Sequence, residues 1–194
     1  VFKFIFSCED VFSRKIWLRA MTSKETANHT VQALWSIIQS NDLDTPKSIL
    51  VDRGLEWAGA FADYCKLNSI TLRHTRAYTP NANPVERSNK AVRDVLQKLM
   101  VRNASLKWWD LLPQVEASRN SSYHSVLKAS PDQVYAETVD MDALVERNMK
   151  TASDKMNKYK STEFAVGDKA NPALSTKYGV LVWPSGTDSM MRDS

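Results

Sequence analysis

The sequence predicts a mixed α/β layer fold, and three observations carry the prediction. Short aromatic and β-branched runs alternate with stretches whose apolar residues recur at helical spacing. The 194 residues are 43% apolar and 25% charged, a composition able to bury a sizeable core. No apolar run reaches the ~18 residues that a membrane helix needs, so the expectation is a soluble core of one domain with a tail. The apolar start, Val1 to Phe6, is interrupted by Lys3 and runs into charge rather than a cleavage site, which argues against a secretion signal.

Residues 2–8 and 14–20 read as strands joined by a polar turn, an opening antiparallel hairpin. Ser23 then precedes a run in which Val31, Leu34, Trp35 and Ile38 form an apolar stripe, predicting a helix that ends near Asn41 and covers the sheet. Residues 47–51 form a brief strand closed by Asp52-Arg53-Gly54, where glycine suits a tight turn, and a helical pattern follows through Leu67. A further strand is expected at 69–74. After a Pro- and Asn-rich loop, a long helix should run from about Asn83 to Arg102 with Val92, Val95, Leu96 and Leu99 facing inward. Helical stretches follow at 108–120, 131–137 and 142–159. Trp57, Trp108 and Trp109 read as packing anchors, and Ser13 with Arg14 as residues that order the first turn.

The net charge of +4 is unevenly spread. Between Arg73 and Lys107 eight cations face two acids, an excess of six that leaves the rest of the chain at minus two. A local basic stretch favours a polyanionic partner, since neutralising phosphates releases counterions. Cys8 and Cys65 lie 57 positions apart without a CxxC pair, and His29, His74 and His124 are scattered. Neither a disulfide framework nor a zinc site is written here; two reduced, buried thiols are expected.

Three carboxylates stand at element ends: Asp10 after the first strand, Asp52 after another, and Glu86 at the start of the basic helix. Strand ends and a neighbouring helix N-terminus can bring such groups into one cleft. Clustered carboxylates repel unless a counter-charge joins them, and an all-oxygen set without His or Cys favours Mg²⁺ or Mn²⁺. The matching chemistry is phosphoryl transfer with two ions roughly 3.5–4 Å apart.

Asp10-Val-Phe-Ser-Arg, Asp52-Arg-Gly-Leu-Glu-Trp and Val85-Glu86-Arg-Ser-Asn-Lys resemble motifs of the retroviral and retrotransposon integrase catalytic core, the D,D,E recombinases of the RNase H-like superfamily. The resemblance runs from about residue 4 to residue 137, through Ser23-Lys-Glu-Thr-Ala27, the 33 residues between Asp52 and Glu86, and Trp108-Trp109 to Ala129-Ser130-Pro131. It implies an RNase H-like three-layer fold with a mixed five-stranded sheet flanked by helices. By that likeness Asp10, Asp52 and Glu86 are the catalytic and metal-ligating acids for two Mg²⁺ or Mn²⁺ ions. Lys90 and Arg93 then face DNA, and helical geometry agrees, because Glu86, Lys90 and Arg93 share one side at i, i+4 and i+7. Asn81 and Asn83 are candidates for phosphate contact or for turn formation, and Arg76 for DNA contact.

The implied activity is hydrolytic trimming of an element's DNA ends followed by 3′-hydroxyl attack on target DNA. Double-stranded DNA would be the partner, a homo-oligomer the working form and the nucleus the location. The alternative is a domesticated or degraded core acting as a non-catalytic DNA-binding or assembly protein; a nuclease acting on RNA in hybrids is a third. The expected organisation is a catalytic core over 1–140, a helical linker over 141–163, and over 164–194 a truncated or divergent start of a small C-terminal β-barrel with a flexible tail.

Overall fold

In the computed structural model, residues 1–23, 27–75, 84–160 and 178–184 are described. The opening hairpin forms as expected, with β1 (Phe4–Asp10) paired antiparallel to β2 (Ile16–Met21). Helix α1 (Ala27–Ser40) leads to β3 (Ser48–Val51). A single 3₁₀ turn over Leu55–Trp57 and helix α2 (Ala60–Leu67) connect β3 to β4 (Thr71–His74), which lies parallel to it. The long helix α3 (Pro84–Arg102) is followed by a 3₁₀ turn over Trp108–Leu111, α4 (Leu112–Ser121), α5 (Pro131–Tyr135) and α6 (Met141–Lys160). The fifth strand, β5 (Tyr178–Pro184), completes a mixed sheet of order β2-β1-β5-β3-β4.

The period-2 alternation of β1 sorts the core onto two faces. Phe6 and Cys8 pack with Trp17, Met21, Ile49, Val51, Trp57, and with Leu34, Ile37 and Ile38 of α1 and Phe61 of α2. Ile5 joins Ile16, Leu18, Val92 and Leu96 of α3, and Leu111, Leu112 and Val115 on the other face. Helices on both faces of a mixed sheet give the predicted three layers. A smaller cluster of Leu127, Ala129, Val134 and Leu144 seats α6 against the loop before α5. No helix among the described residues is long and apolar enough to cross a membrane.

Two sequence expectations change in detail. On α1 the buried stripe is Thr30, Ala33, Leu34, Ile37 and Ile38, while Trp35 is 54% exposed. Small Ala33 lets the helix approach the sheet closely, which turns the helix and sends the bulky indole outward. Residues 178–184, expected to belong with a small barrel, instead fill the central strand position, antiparallel to β1 and parallel to β3. An apolar, β-branched segment satisfies two otherwise bare strand edges there.

The outer edge of β2 is closed by side chains of α4. The Ile16 amide donates to Asn120 Oδ1 at 2.8 Å, the Asn120 amide donates to the Ile16 carbonyl at 2.8 Å, and the Leu18 amide donates to Glu116 Oε2 at 2.8 Å. This edge therefore offers few free groups to a pairing strand.

Candidate active site

Asp52 follows β3 directly, at the edge of the sheet where that strand ends. Its Oδ1 accepts from the Gly54 amide at 2.9 Å and from the indole N–H of Trp57 at 2.6 Å. Its carbonyl accepts from His74 Nδ1 at 2.9 Å, which sets the proton on Nδ1. Trp57 is buried and packs its ring edge-on against Phe6 and Phe61, so one oxygen of Asp52 is held by a fixed donor. Both bonds fall on Oδ1. Gly54 has an ordinary extended backbone, with φ −63°. A Cβ there would meet only the far end of the flexible Glu56 side chain, which can move aside, so the glycine is not required by a left-handed turn or by a close backbone. An open groove of about 460 Å³ begins beside Asp52, lined by Arg53, Gly54, Leu55, Trp57, Leu72 and His74 among others.

Helix α3 packs across β1 and β5. Val85, Asn89, Val92 and Leu96 are its buried side, while Lys90 and Arg93 are exposed. Glu86 lies in its first turn, with its side chain outside the described residues. The exposed placement of Lys90 and Arg93 agrees with a cationic face on the side of the helix where Glu86 falls. Arg76, Asn81 and Asn83 lie outside the described residues.

Asp10 does not lie beside Asp52, which corrects the expectation of three converging acids; the place of the Glu86 side chain is outside the described residues. Strand β1 runs antiparallel to β5 and β5 runs parallel to β3, so β1 ends at the edge of the sheet where β3 begins. Tyr178 pairs with both Asp10 and Ile49, three residues before Asp52. At about 3.3 Å per residue along a strand and about 4.8 Å between strands, the two aspartates are roughly 14 Å apart in backbone position. That is too far for two short side chains to share ions whose oxygen bonds are about 2.1 Å. The surroundings agree: burial first, then the charges of Asp10 and Asp44, raise the Tyr135 phenol, and Asp44 lies just before β3.

What Asp10 does instead is local. Its Oδ2 accepts from the Ser13 amide at 2.8 Å and from the Ser13 hydroxyl at 2.6 Å, closing the hairpin turn. Arg14 completes that turn in the left-handed region at φ 62°. Asp-x-x-Ser between two strands is itself a turn signal, so this role was readable in the sequence beside the metal-ligand one. The Trp57 indole bond to Asp52 is a further feature that sequence spacing missed, because it depends on how the 3₁₀ turn folds back. Both cysteines are free and buried, and burial pushes the Cys65 thiol up to about 11. Among the described residues no three His, Cys, Asp or Glu side chains form a metal-binding group.

Comparison with known proteins follows the same outline. The integrase core domain family matches residues 2–80. The Pro-Pol polyprotein of simian foamy virus type 3 (strain LK3) is 35% identical over 121 residues, 61% of this chain and 10% of the polyprotein. That of feline foamy virus is 29% identical over 115 residues, 58% of this chain and 10% of its own length. The chain thus spans about a tenth of these relatives. Among solved structures, a simian T-cell lymphotropic virus intasome in complex with PP2A regulatory subunit B56 gamma matches with TM-score 0.60 at 21% identity, covering 66% of this chain and 46% of the other. The catalytic core domain of BIV integrase matches with TM-score 0.57 at 18% identity over 70% and 87%. The HTLV-2 integrase catalytic core domain in complex with magnesium matches with TM-score 0.53 at 19% identity over 64% and 79%. The first 80 residues are thus similar to an integrase core domain, and about two thirds of the chain shares the RNase H-like fold of retroviral integrase catalytic cores.

Proposed function

We propose that this chain is the core of a DNA integrase or transposase, acting on the phosphodiester backbone of double-stranded DNA at the Asp52 edge of the sheet. The observation that carries the reading is the state of Asp52: one carboxylate oxygen is fixed by Gly54 and Trp57, and both of these residues line an open groove. Glu86 is the second acid of the proposal, and Lys90 and Arg93 hold the DNA backbone along α3. Each phosphate neutralised in this way lowers affinity with rising salt by a slope of about 0.9 per contact.

The donor set fits one hard divalent cation better than two. Asp52 and Glu86 offer only carboxylate oxygen, as Mg²⁺ or Mn²⁺ prefers, but Asp10 is withdrawn and β5, the strand beside β3, contains no acid. A divalent ion bound there would ease deprotonation of the attacking hydroxyl and stabilise the leaving oxygen. The matched HTLV-2 integrase cores are dimeric and trimeric and the matched simian T-cell lymphotropic virus structure is an intasome, which supports an oligomer working on paired DNA ends. Chromosomal DNA as target would place the work in the nucleus.

The displacement of Asp10 favours one second reading, a DNA-binding core without catalysis. Incubation of a short duplex with Mg²⁺ or Mn²⁺ decides between them. Nicking or strand transfer by the native chain, lost in Asp52→Asn and kept in Asp10→Asn, supports the enzyme. Equal traces from the native chain and Asp52→Asn leave the binding protein.

A further inference from the structure

Helix α6, rich in Lys, Asn and Met, has no task in the chemistry proposed above. Among the described residues Leu144 is its one buried side chain, seated with Leu127, Ala129 and Val134. Past that anchor the helix runs a further 16 residues to Lys160, about 24 Å at about 1.5 Å per residue. Thr151, Ser153 and Asp154 are exposed on this length, and so are Val145 and Met149, the latter by 66%. Asn148, Thr151, Ser153 and Asp154 are weak helix formers, and a helix of this length is marginal in water without packing. A covering partner would supply that packing.

The apolar pattern of α6 says what kind of partner fits. Val145 and Met149 open a stripe that the sequence continues at Ala152, Met156 and Tyr159, in steps of four, three, four and three. That alternation is the seam of a coiled coil, in which a helix is covered by another of the same kind. One residue along a helix turns it by about 100°, so the stripe beginning at Val145 is set off from Leu144 and can be covered while the anchor stays seated.

Charge selects the direction. Glu146, Ser153 and Lys160 follow one another at intervals of seven residues and so share one flank of the stripe. Two copies of the helix running the same way would set Glu146 against Glu146 and Lys160 against Lys160. Running opposite ways, they set Glu146 of each against Lys160 of the other, with Ser153 near the two-fold axis. The tip of the opening hairpin widens the surface at the start of the helix. Phe12 and Val126 are 41% and 53% exposed, and with Asn148 and Thr151 they border a groove of about 290 Å³, beside which the end of an oppositely directed helix would lie.

We propose that α6 is a self-docking surface: two copies of this chain pair through Val145, Met149 and the rest of the stripe, with their α6 helices antiparallel. The oligomer inferred above thereby gains an interface, but the pairing does not rest on the DNA chemistry and is tested without it.

Molar mass from light scattering on the full chain tests the surface. The native chain should be a dimer, and Met149→Glu a monomer with unchanged tryptophan fluorescence, because Met149 is exposed. Glu146→Lys should weaken pairing about fivefold or more, and adding Lys160→Glu to it should restore the native affinity. Mild oxidation reads the direction: Ser153→Cys should link two copies by a disulfide and Glu146→Cys should not, while the native Cys8 and Cys65 are buried. A monomeric native chain, a dimer that survives Met149→Glu, or a charge reversal without rescue overturns the proposal. A disulfide in Glu146→Cys with none in Ser153→Cys overturns the antiparallel arrangement.

Discussion

Asp10 and Asp52 invite the same reading and have different surroundings. Each closes an apolar strand, and each accepts hydrogen bonds from residues a few places downstream. Asp10 is 7% exposed, and both its side-chain bonds come from Ser13 inside a hairpin turn. Asp52 is half-buried and receives bonds from a core tryptophan and from Gly54, both of which line a groove. Local sequence sets the hydrogen bonds of both. The direction of the strands places the two acids at opposite edges of the sheet, and that is a long-range property.

Removing Trp57 disturbs the Asp52 side most. Trp57→Ala should cost about 3–5 kcal/mol in chemical denaturation from lost packing alone. Trp57→Phe isolates the polar part: losing a charge-assisted hydrogen bond should cost about 1.5–3 kcal/mol, and divalent-ion affinity should change because Oδ1 is released. An unaltered ion affinity in a folded Trp57→Phe protein would mean that the indole does not orient Asp52.

On the other side, Asp10→Ala leaves the Ser13 amide without its acceptor in a buried turn. A loss of about 1–3 kcal/mol is expected, with ion binding intact. The comparison fails if Asp10→Ala is neutral in urea denaturation but abolishes ion binding.

Acidity separates the two regions as well. Burial is the main cause that raises the carboxyls of Glu9 and Glu116 from 4.5, and both lie on β1 or against β2. A raised folded value means that the folded chain binds the proton more tightly than the unfolded chain. Stability from these groups is therefore full below about pH 4.5 and falls as pH climbs above it through the raised values. Glu9→Gln should flatten that fall when urea midpoints are compared at about pH 4 and pH 7; an unchanged slope assigns it to Glu116 or elsewhere. The smallest effect belongs to Lys15–Asp132, a 2.9 Å pair with both partners partly exposed, where Asp132→Asn should cost less than about 1 kcal/mol and less still in high salt.

Much of this fold was legible because its signals are local. The strand alternation of 2–8 and 14–20, the inward side of α3 at Val92 and Leu96, and the core place of Trp57 all follow from residues within a few turns of each other. The α1 stripe was read one residue off, because counting large apolar residues gave Trp35 more weight than Ala33, whose small side chain governs close approach. The central strand was illegible for another reason: nothing near Tyr178–Pro184 says that β1 and β3 leave a strand position between them. The misplacement of Asp10 follows from the same gap, since its edge of the sheet is set only when β5 fixes β1 antiparallel to β3.

The central claim is that Asp52, and not Asp10, stands where a divalent ion can bind. Titration with Mn²⁺, followed by paramagnetic broadening of backbone amide resonances, tests it directly. The account predicts early broadening at residues 52–54, with residues 10–13 still sharp. Residues 10–13 broadening together with 52–54 at the same Mn²⁺ concentration would contradict it.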